Sequence, residues 1–200
     1  MNDKILIQQA YSNSEYANMF KLTFNRHVQY CLNHKYDFSL HISDVENHYQ
    51  GEGCWSKVWL VHNALLQGYK FVAWIDADAY IHDLTNDLQE ALPDGGIGCT
   101  WHTSPCEHWN TGVMYFRNSP RTLQFFDEWL SQAPGNDSWH EQSIYNRMAH
   151  DEQWQDVVRT VDAKYNCTIN NNETPNYIVR AFHGAGDINN RMCLMAEALK

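Results

Sequence analysis

Cationic side chains are scarce in this sequence. Lys and Arg number 14 against 24 Asp and Glu, a formal net charge of -10. That balance argues against nucleic acid or an anionic membrane as a direct partner. For a phosphate-bearing ligand, it makes a bridging cation the expected means of binding. The chain also lacks an apolar run long enough to span a bilayer, an internal repeat, a low-complexity tract and a linker, and no signal peptide is expected. No C-x-x-C pattern is present, and the six cysteines are scattered without framework spacing. Reduced thiols in a soluble, cytoplasmic-type compartment are therefore expected. Sequons at Asn136, Asn166 and Asn172 keep a secretory history open. Hydrophobic residues at 44% and charged residues at 19% describe a folded globular protein. Its 200 residues are expected to form a single domain, 1–200. The last segment, from Arg191 to Lys200, ends without a stop signal, so the chain reads as a possible module of a longer protein.

The most informative stretch is Tyr69–Leu84. Phe71–Ile75 is a short apolar, aromatic and β-branched run that reads as a buried strand. Asp76 and Asp78 follow it at once. On an extended segment, side chains two apart point the same way, so these carboxylates would repel unless a cation sat between them. Oxygen ligands suit a hard divalent ion such as Mg or Mn. The spacing alone is weak, since a chain this acidic holds roughly one D-x-D by chance. The plain alternative is a loop start that caps the next helix.

Strands are expected over Lys4–Ile7, Asp37–Ile42, Phe71–Ile75, Ile97–Thr100, Thr111–Arg117, Val157–Val161 and Ile178–Phe182. Ser12 or Ser14 can cap a first helix that reaches at least to Cys31. Further helices are expected over Trp55–Gln67, Thr85–Leu92, Pro120–Gln132, His140–Ala149 and from Asn189 onward. Glu46–Gly53 and Pro134–Asn136 read as loop and turn. Trp59, Trp129 and Met148 are expected in the core, and histidines such as His27, His34, His41, His48, His62 and His150 at the surface or satisfied inside. Strands alternating with helices predict an α/β sheet with helices on both faces. Ligands bind such sheets at the carboxyl ends of strands. There stand Gln8 to Tyr11, Asp76 to Asp78, the His102 segment and His183-Gly184.

Trp55-Ser56-Lys57, Trp74-Ile75-Asp76-Ala77-Asp78-Ala79, Asn110-Thr111-Gly112-Val113, Glu141-Gln142-Ser143 and Phe182-His183-Gly184 occur in an order that resembles GT-A-type nucleotide-sugar glycosyltransferases. The likeness is greatest to the retaining group of galactosyl-, mannosyl- and xylosyltransferases, and extends to the N-terminal domain of a large algal-virus glycosyltransferase. It implies one GT-A, Rossmann-like domain with a mixed, mostly parallel central sheet. The family's Asp-Gln pair appears here as Glu141-Gln142, and the membrane anchor usual in the family is not expected in these 200 residues.

The resemblance implies a metal-dependent hexosyl- or deoxyhexosyltransferase that uses a UDP-sugar and Mn2+ (or Mg2+) and passes the sugar to a glycan acceptor, with retention. Asp76, Asp78 and His183 would be the metal ligands, and Asp76 would also reach the ribose. Gln9, Ala10 and Tyr11 would hold the base, with Ala77 beside it and Lys57 contacting the nucleotide. Gly184 and Gly186 would free backbone amides for phosphate. Asn110, Thr111, Glu141 and Gln142 would serve the sugar, with Glu141 the candidate acid near its β-face. Trp101 or His102 would border the acceptor. Plain alternatives stand beside these roles. Lys57 could be a solvated helix lysine, Asn110 a turn start, Glu141 a first-turn acid favoured by the helix dipole. Tyr11 and Trp101 could be ordinary core or rim aromatics, and His183 could bond only a loop carbonyl. Two competing functions are a metal-dependent phosphoester hydrolase and a non-catalytic nucleotide-sugar-binding module.

Overall fold

The computed structural model describes residues 4–11, 14–42, 53–133, 138–169 and 171–200. Ser12, His48, most of the Glu46–Gly53 loop and the turn at Pro134–Asn136 lie outside the described residues. The chain begins β1 (Ile5–Tyr11), α1 (Ser14–His34), β2 (Asp37–Ile42), α2 (Ser56–Leu66), β3 (Phe71–Ile75), β4 (Ala79–Ile81). It continues β5 (Ile97–His102), β6 (His108–Arg117), α3 (Pro120–Ser131), α4 (His140–Ala149), β7 (Val158–Val161), β8 (Cys167–Thr168), β9 (Val179–Ala181), α5 (Ile188–Ala198).

Six strands form the main sheet in the order β2-β1-β3-β6-β5-β7. Only β6 runs against its neighbours, so the sheet is mixed and mostly parallel. Alternation along the strands divides the core. Leu6, Val72, Trp74, Met114 and Phe116 meet α2, α3 and α4 on one face. Ile5, Ile7, Phe71, Ala73, Ile75, Val113 and Tyr115 meet Tyr30 and Cys31 of α1 and the small sheet on the other. This is the two-faced α/β arrangement that the alternating elements predict. After β2 the chain returns to the far side of β1 to make β3, so the carboxyl ends of β1 and β3 border a switch point where a ligand crevice forms.

Local signals account for most element ends. Ser119 caps α3 by accepting from Thr122 N at 3.0 Å, and Pro120 follows in the first turn. Asp187 caps α5 through Asn190 N at 2.9 Å. Three expectations are corrected. The first strand runs on through Gln8 to Tyr11, because β2 pairs with it along that length. No helix spans Thr85–Leu92; Asp83 and Asp87 side chains take the amides of Thr85 and Gln89, leaving a single tight turn over Leu88–Ala91. Trp59 is 36% exposed rather than core, whereas Trp129 and Met148 are buried as expected. A second sheet, β4-β9-β8, was not foreseen. No disulfide joins any of the six cysteines, and among the described residues no helix is long and apolar enough to cross a membrane.

Candidate active site

Asp76-Ala77-Asp78 joins the two sheets. Asp76 follows β3, its amide donates to Gly112 O at 2.8 Å, and Ala79 N turns back to Asp76 O at 3.0 Å. Asp78 precedes β4, and its carbonyl accepts from Phe182 N at 2.9 Å, next to β9. The segment is therefore a turn, not the extended run assumed for converging carboxylates. The two acids are engaged by different cations.

Asp76 faces α2. Lys57 Nζ lies 3.1 Å from Asp76 Oδ1 and 3.1 Å from Glu141 Oε1, and donates to Thr111 O at 3.0 Å. Trp74 Nε1 donates to Asp76 Oδ1 at 2.6 Å. Burial alone would push the Lys57 ammonium down, but Asp76 and Glu141 outweigh it and hold Lys57 above its usual value. Lys57 and Glu141 are buried, so the lysine is not a solvated helix residue. The adjoining side chains are tied together: Thr111 Oγ1 donates to Glu141 Oε1 at 3.0 Å, and Gln142 Oε1 accepts Thr111 N at 2.9 Å. Asn110 Oδ1 accepts from Gly112 N at 2.9 Å and from Asn166 Nδ2 at 3.1 Å.

Asp78 faces the C-terminal elements. Its Oδ2 accepts from Arg191 Nη1 at 2.9 Å, and its Oδ1 lies 3.5 Å from His183 Nδ1. Burial would raise the Asp78 carboxyl, yet the His183 ring and the Arg191 guanidinium hold it below the usual carboxylate range. His183 follows β9 and lies against Gly112, where a Cβ would come within 2.7 Å of its Cε1. Only glycine leaves room for the ring there. Neither ring nitrogen of His183 has a hydrogen-bond partner although both are buried. Gly184 and Gly186 take positive φ, 77° and 82°, in the exposed loop that follows. His102 is buried, bonds Thr168 Oγ1 at 3.1 Å, and stands 6.0 Å from His183 between ring centres. Trp101 is partly exposed on the opposite face of the hairpin, 4.6 Å from Trp109.

Not every candidate faces the crevice. Gln9 is fully buried on the α1 side, where its Oε1 accepts from His27 Nδ1 at 2.8 Å and its Nε2 reaches Asp76 O at 3.4 Å. Ala10 is half-buried, Ala77 is buried, and of Tyr11 only the backbone is described. Two residues that the sequence reading assigned no role belong to the site: Arg191, and Asn166, which is wholly buried and so no longer a sequon open to glycosylation. A sequence signal for either is hard to find, because each acts through a partner far along the chain.

The donor chemistry fits a divalent ion in part. Asp78 and His183 bring a carboxylate and an imidazole within 3.5 Å of each other, and one ring nitrogen with a carboxylate oxygen is a pair suited to a borderline ion. Asp76 is held by Lys57 and Trp74 instead, and among the described residues no three His, Cys, Asp or Glu side chains are gathered closely enough to hold an ion.

The sequence profile of the nucleotide-diphospho-sugar transferase family matches residues 17–186. The chain belongs to that family. As a nucleotide-diphospho-sugar transferase it also has relatives in three dimensions. One is a glycosyltransferase involved in glycosylation of the major capsid of the virus PBCV-1, with 16% identity and a TM-score of 0.73, over 97% of this chain and 99% of that one. Another is the galactosyltransferase LgtC in complex with donor and acceptor sugar analogues, with 13% identity and a TM-score of 0.61 over 98% and 96%. A third is mouse xyloside xylosyltransferase 1, with 10% identity and a TM-score of 0.55 over 90% and 97%. At these identities the likeness establishes the GT-A fold of the transferase. No curated protein sequence matches the chain significantly.

Proposed function

We propose that this transferase moves a hexose or deoxyhexose from a UDP-sugar to a glycan hydroxyl, with a divalent metal and with retention of configuration. The observation that carries the reading is the divided turn at Asp76 and Asp78. On one side stands the Asp78 carboxylate, between the Arg191 guanidinium and the His183 imidazole. On the other stands the buried Lys57–Glu141 pair. Such a crevice offers a cation site next to groups that can read a sugar.

Asp78 and His183 would hold the ion, with Asp76 drawn in from the same turn, and the imidazole would tilt preference from Mg2+ toward Mn2+. When bound, the ion would neutralise the charge that develops on the departing diphosphate. The chain's own side chains would do the rest. Asp76 would reach the ribose. Ala10 and Tyr11 would border the base, with Gln9 buried behind them on the α1 side, and the amides at Gly184 and Gly186 would face phosphate. Lys57, enclosed by its partners, would act as a fixed positive charge that orients Asp76 and Glu141, not as a group that travels to the nucleotide. With Asn110 Oδ1 taken by Gly112 and Asn166, its Nδ2 would be the end presented to a sugar hydroxyl. Gln142, whose Oε1 is taken by Thr111, would present its amide likewise. Glu141 is the acid assigned to the sugar's β-face, and His102 borders the acceptor side.

The test is incubation with a set of UDP-sugars and Mn2+, with and without glycan acceptors. Release of UDP with a glycosylated product supports transfer. Release of inorganic phosphate would establish a hydrolase instead, and binding without turnover a non-catalytic module.

A further inference from the structure

A cavity of about 400 Å3 lies apart from the Asp76 turn, in the groove between α2 and the β1–β2 edge of the main sheet. Its floor is Gln8, Ser39 and His41; Trp59, Asn63 and Gln67 line it from the helix side. It reaches toward the amino ends of the strands, as Leu6 and Tyr69 show, whereas the transferase crevice is at their carboxyl ends.

The floor carries an unmet polar group. Gln8 is 2% exposed, and its Oε1 is buried without a hydrogen-bond partner. Its Nε2 lies 3.1 Å from His41 Nε2, which the Ser39 hydroxyl also approaches at 2.9 Å. Turning the carboxamide over would exchange the orphaned end, not remove it. Buried polar groups are nearly always paired, so one left unpaired in a cavity wall points to a ligand that completes it.

The lining defines that ligand's chemistry. No Asp, Glu, Lys or Arg side chain lines the cavity among the described residues. Burial holds His41 below its ordinary range, so its ring is neutral as well. A phosphate or carboxylate would find no cation and an amine no anion. What remains is a set of amides and a hydroxyl that can trade hydrogen bonds, beside the 36% exposed indole of Trp59. That combination suits a neutral ring with hydroxyls at its rim and C–H groups on its face.

We infer that the groove is a second saccharide subsite, which takes a neutral pyranose with its C–H face on Trp59 and a hydroxyl donated to Gln8. It does not depend on the proposed donor chemistry, since its ligand carries no phosphate.

The experiment titrates the protein with methyl pyranosides of galactose, glucose, mannose and xylose. Binding is followed by calorimetry and by the indole resonance of Trp59, in the millimolar range expected of single sugars. The expected result is saturable binding to at least one pyranoside. Trp59→Ala and Asn63→Leu should each weaken it by about tenfold, with Mn2+–UDP binding unchanged. Trp59 is exposed, so the folded variant should be obtainable, and Asn63→Leu supplies a second arm. The inference is overturned if no pyranoside gives a saturable response, if the response survives Trp59→Ala, or if UDP competes it away, which would return the ligand to the donor crevice. Failure of sugar transfer in the assay above would leave this result standing.

Discussion

Asp78 shares its carboxylate with Arg191, 113 residues further along the chain, at 2.9 Å. A guanidinium thus sits on one of the two acids to which the D-x-D pattern assigns a metal. Any ion that uses both Asp78 oxygens must displace it. Arg191→Gln should therefore raise Mn2+ affinity by about tenfold, roughly 1.4 kcal/mol, as measured by calorimetric titration of the nucleotide-free protein. Unchanged affinity would show that Arg191 does not compete. The same contact means that loss of Asp78 removes an ion pair, whereas two facing carboxylates would have been relieved of repulsion. Asp78→Ala should abolish Mn2+-dependent UDP binding and also lower stability, by roughly 1–2 kcal/mol between the exposed and buried limits for ion pairs.

Gly112 is where His183 is most open to a selective perturbation. A Cβ there would stand 2.7 Å from His183 Cε1 and 2.9 Å from Nδ1. Gly112→Ala must displace the ring from its present position beside Gly112, at a cost of about 1–3 kcal/mol for overpacking. The protein should remain folded by circular dichroism yet lose most of its Mn2+-dependent UDP binding. Native metal dependence in this variant would take His183 out of the ion's reach.

Lys57 neutralises two carboxylates at once. Lys57→Met would leave Asp76 and Glu141 facing each other without a cation, a loss of about 3–5 kcal/mol. Chemical denaturation of the variant beside the unaltered protein measures that loss; equal stability would mean that Lys57 is not what holds the two acids together. Glu141→Gln keeps the Lys57–Asp76 ion pair and an oxygen for the Thr111 hydroxyl, so it should cost less stability than Lys57→Met, but it should lower turnover far more than UDP affinity. Equal losses in both would give Glu141 a structural role only.

His27 makes acid stability predictable. It is fully buried, donates to Gln9 Oε1 and accepts from Ile81 N at 3.2 Å, so both ring nitrogens are used in the neutral form. Burial, with Arg26 nearby, lowers its pKa from 6.5 to about 3. A depressed value means that the unfolded chain takes up the proton first. The contribution is complete above the unfolded value of 6.5 and is lost as pH falls toward about 3. Stability should decline by about 1.4 kcal/mol per pH unit from this residue. Denaturation of His27→Gln between pH 6.5 and 5 should show a shallower slope; an unaltered slope would assign the effect elsewhere.

The local pattern of the sequence was sufficient for β3 over Phe71–Ile75 and α4 over His140–Ala149, whose bounds match the structure. Apolar runs, helical spacing, caps and punctuating glycines act within a few residues, so they are legible without a fold. The order of motifs also placed the chain in its family, and the alternation of elements determined its α/β class. The partners were decided only by tertiary structure. β9 lies within the strand expected over Ile178–Phe182, but β4 and β8 are too short to carry a periodic signal and exist because they pair with it. The turn at Ala77 sends Asp76 to Lys57 and Asp78 to Arg191, and Asn166 reaches Asn110, through contacts between distant segments. A side chain's charge is written in the sequence. Which opposite charge it meets, and whether water is present to weaken the meeting, depends on how the sheets close around it.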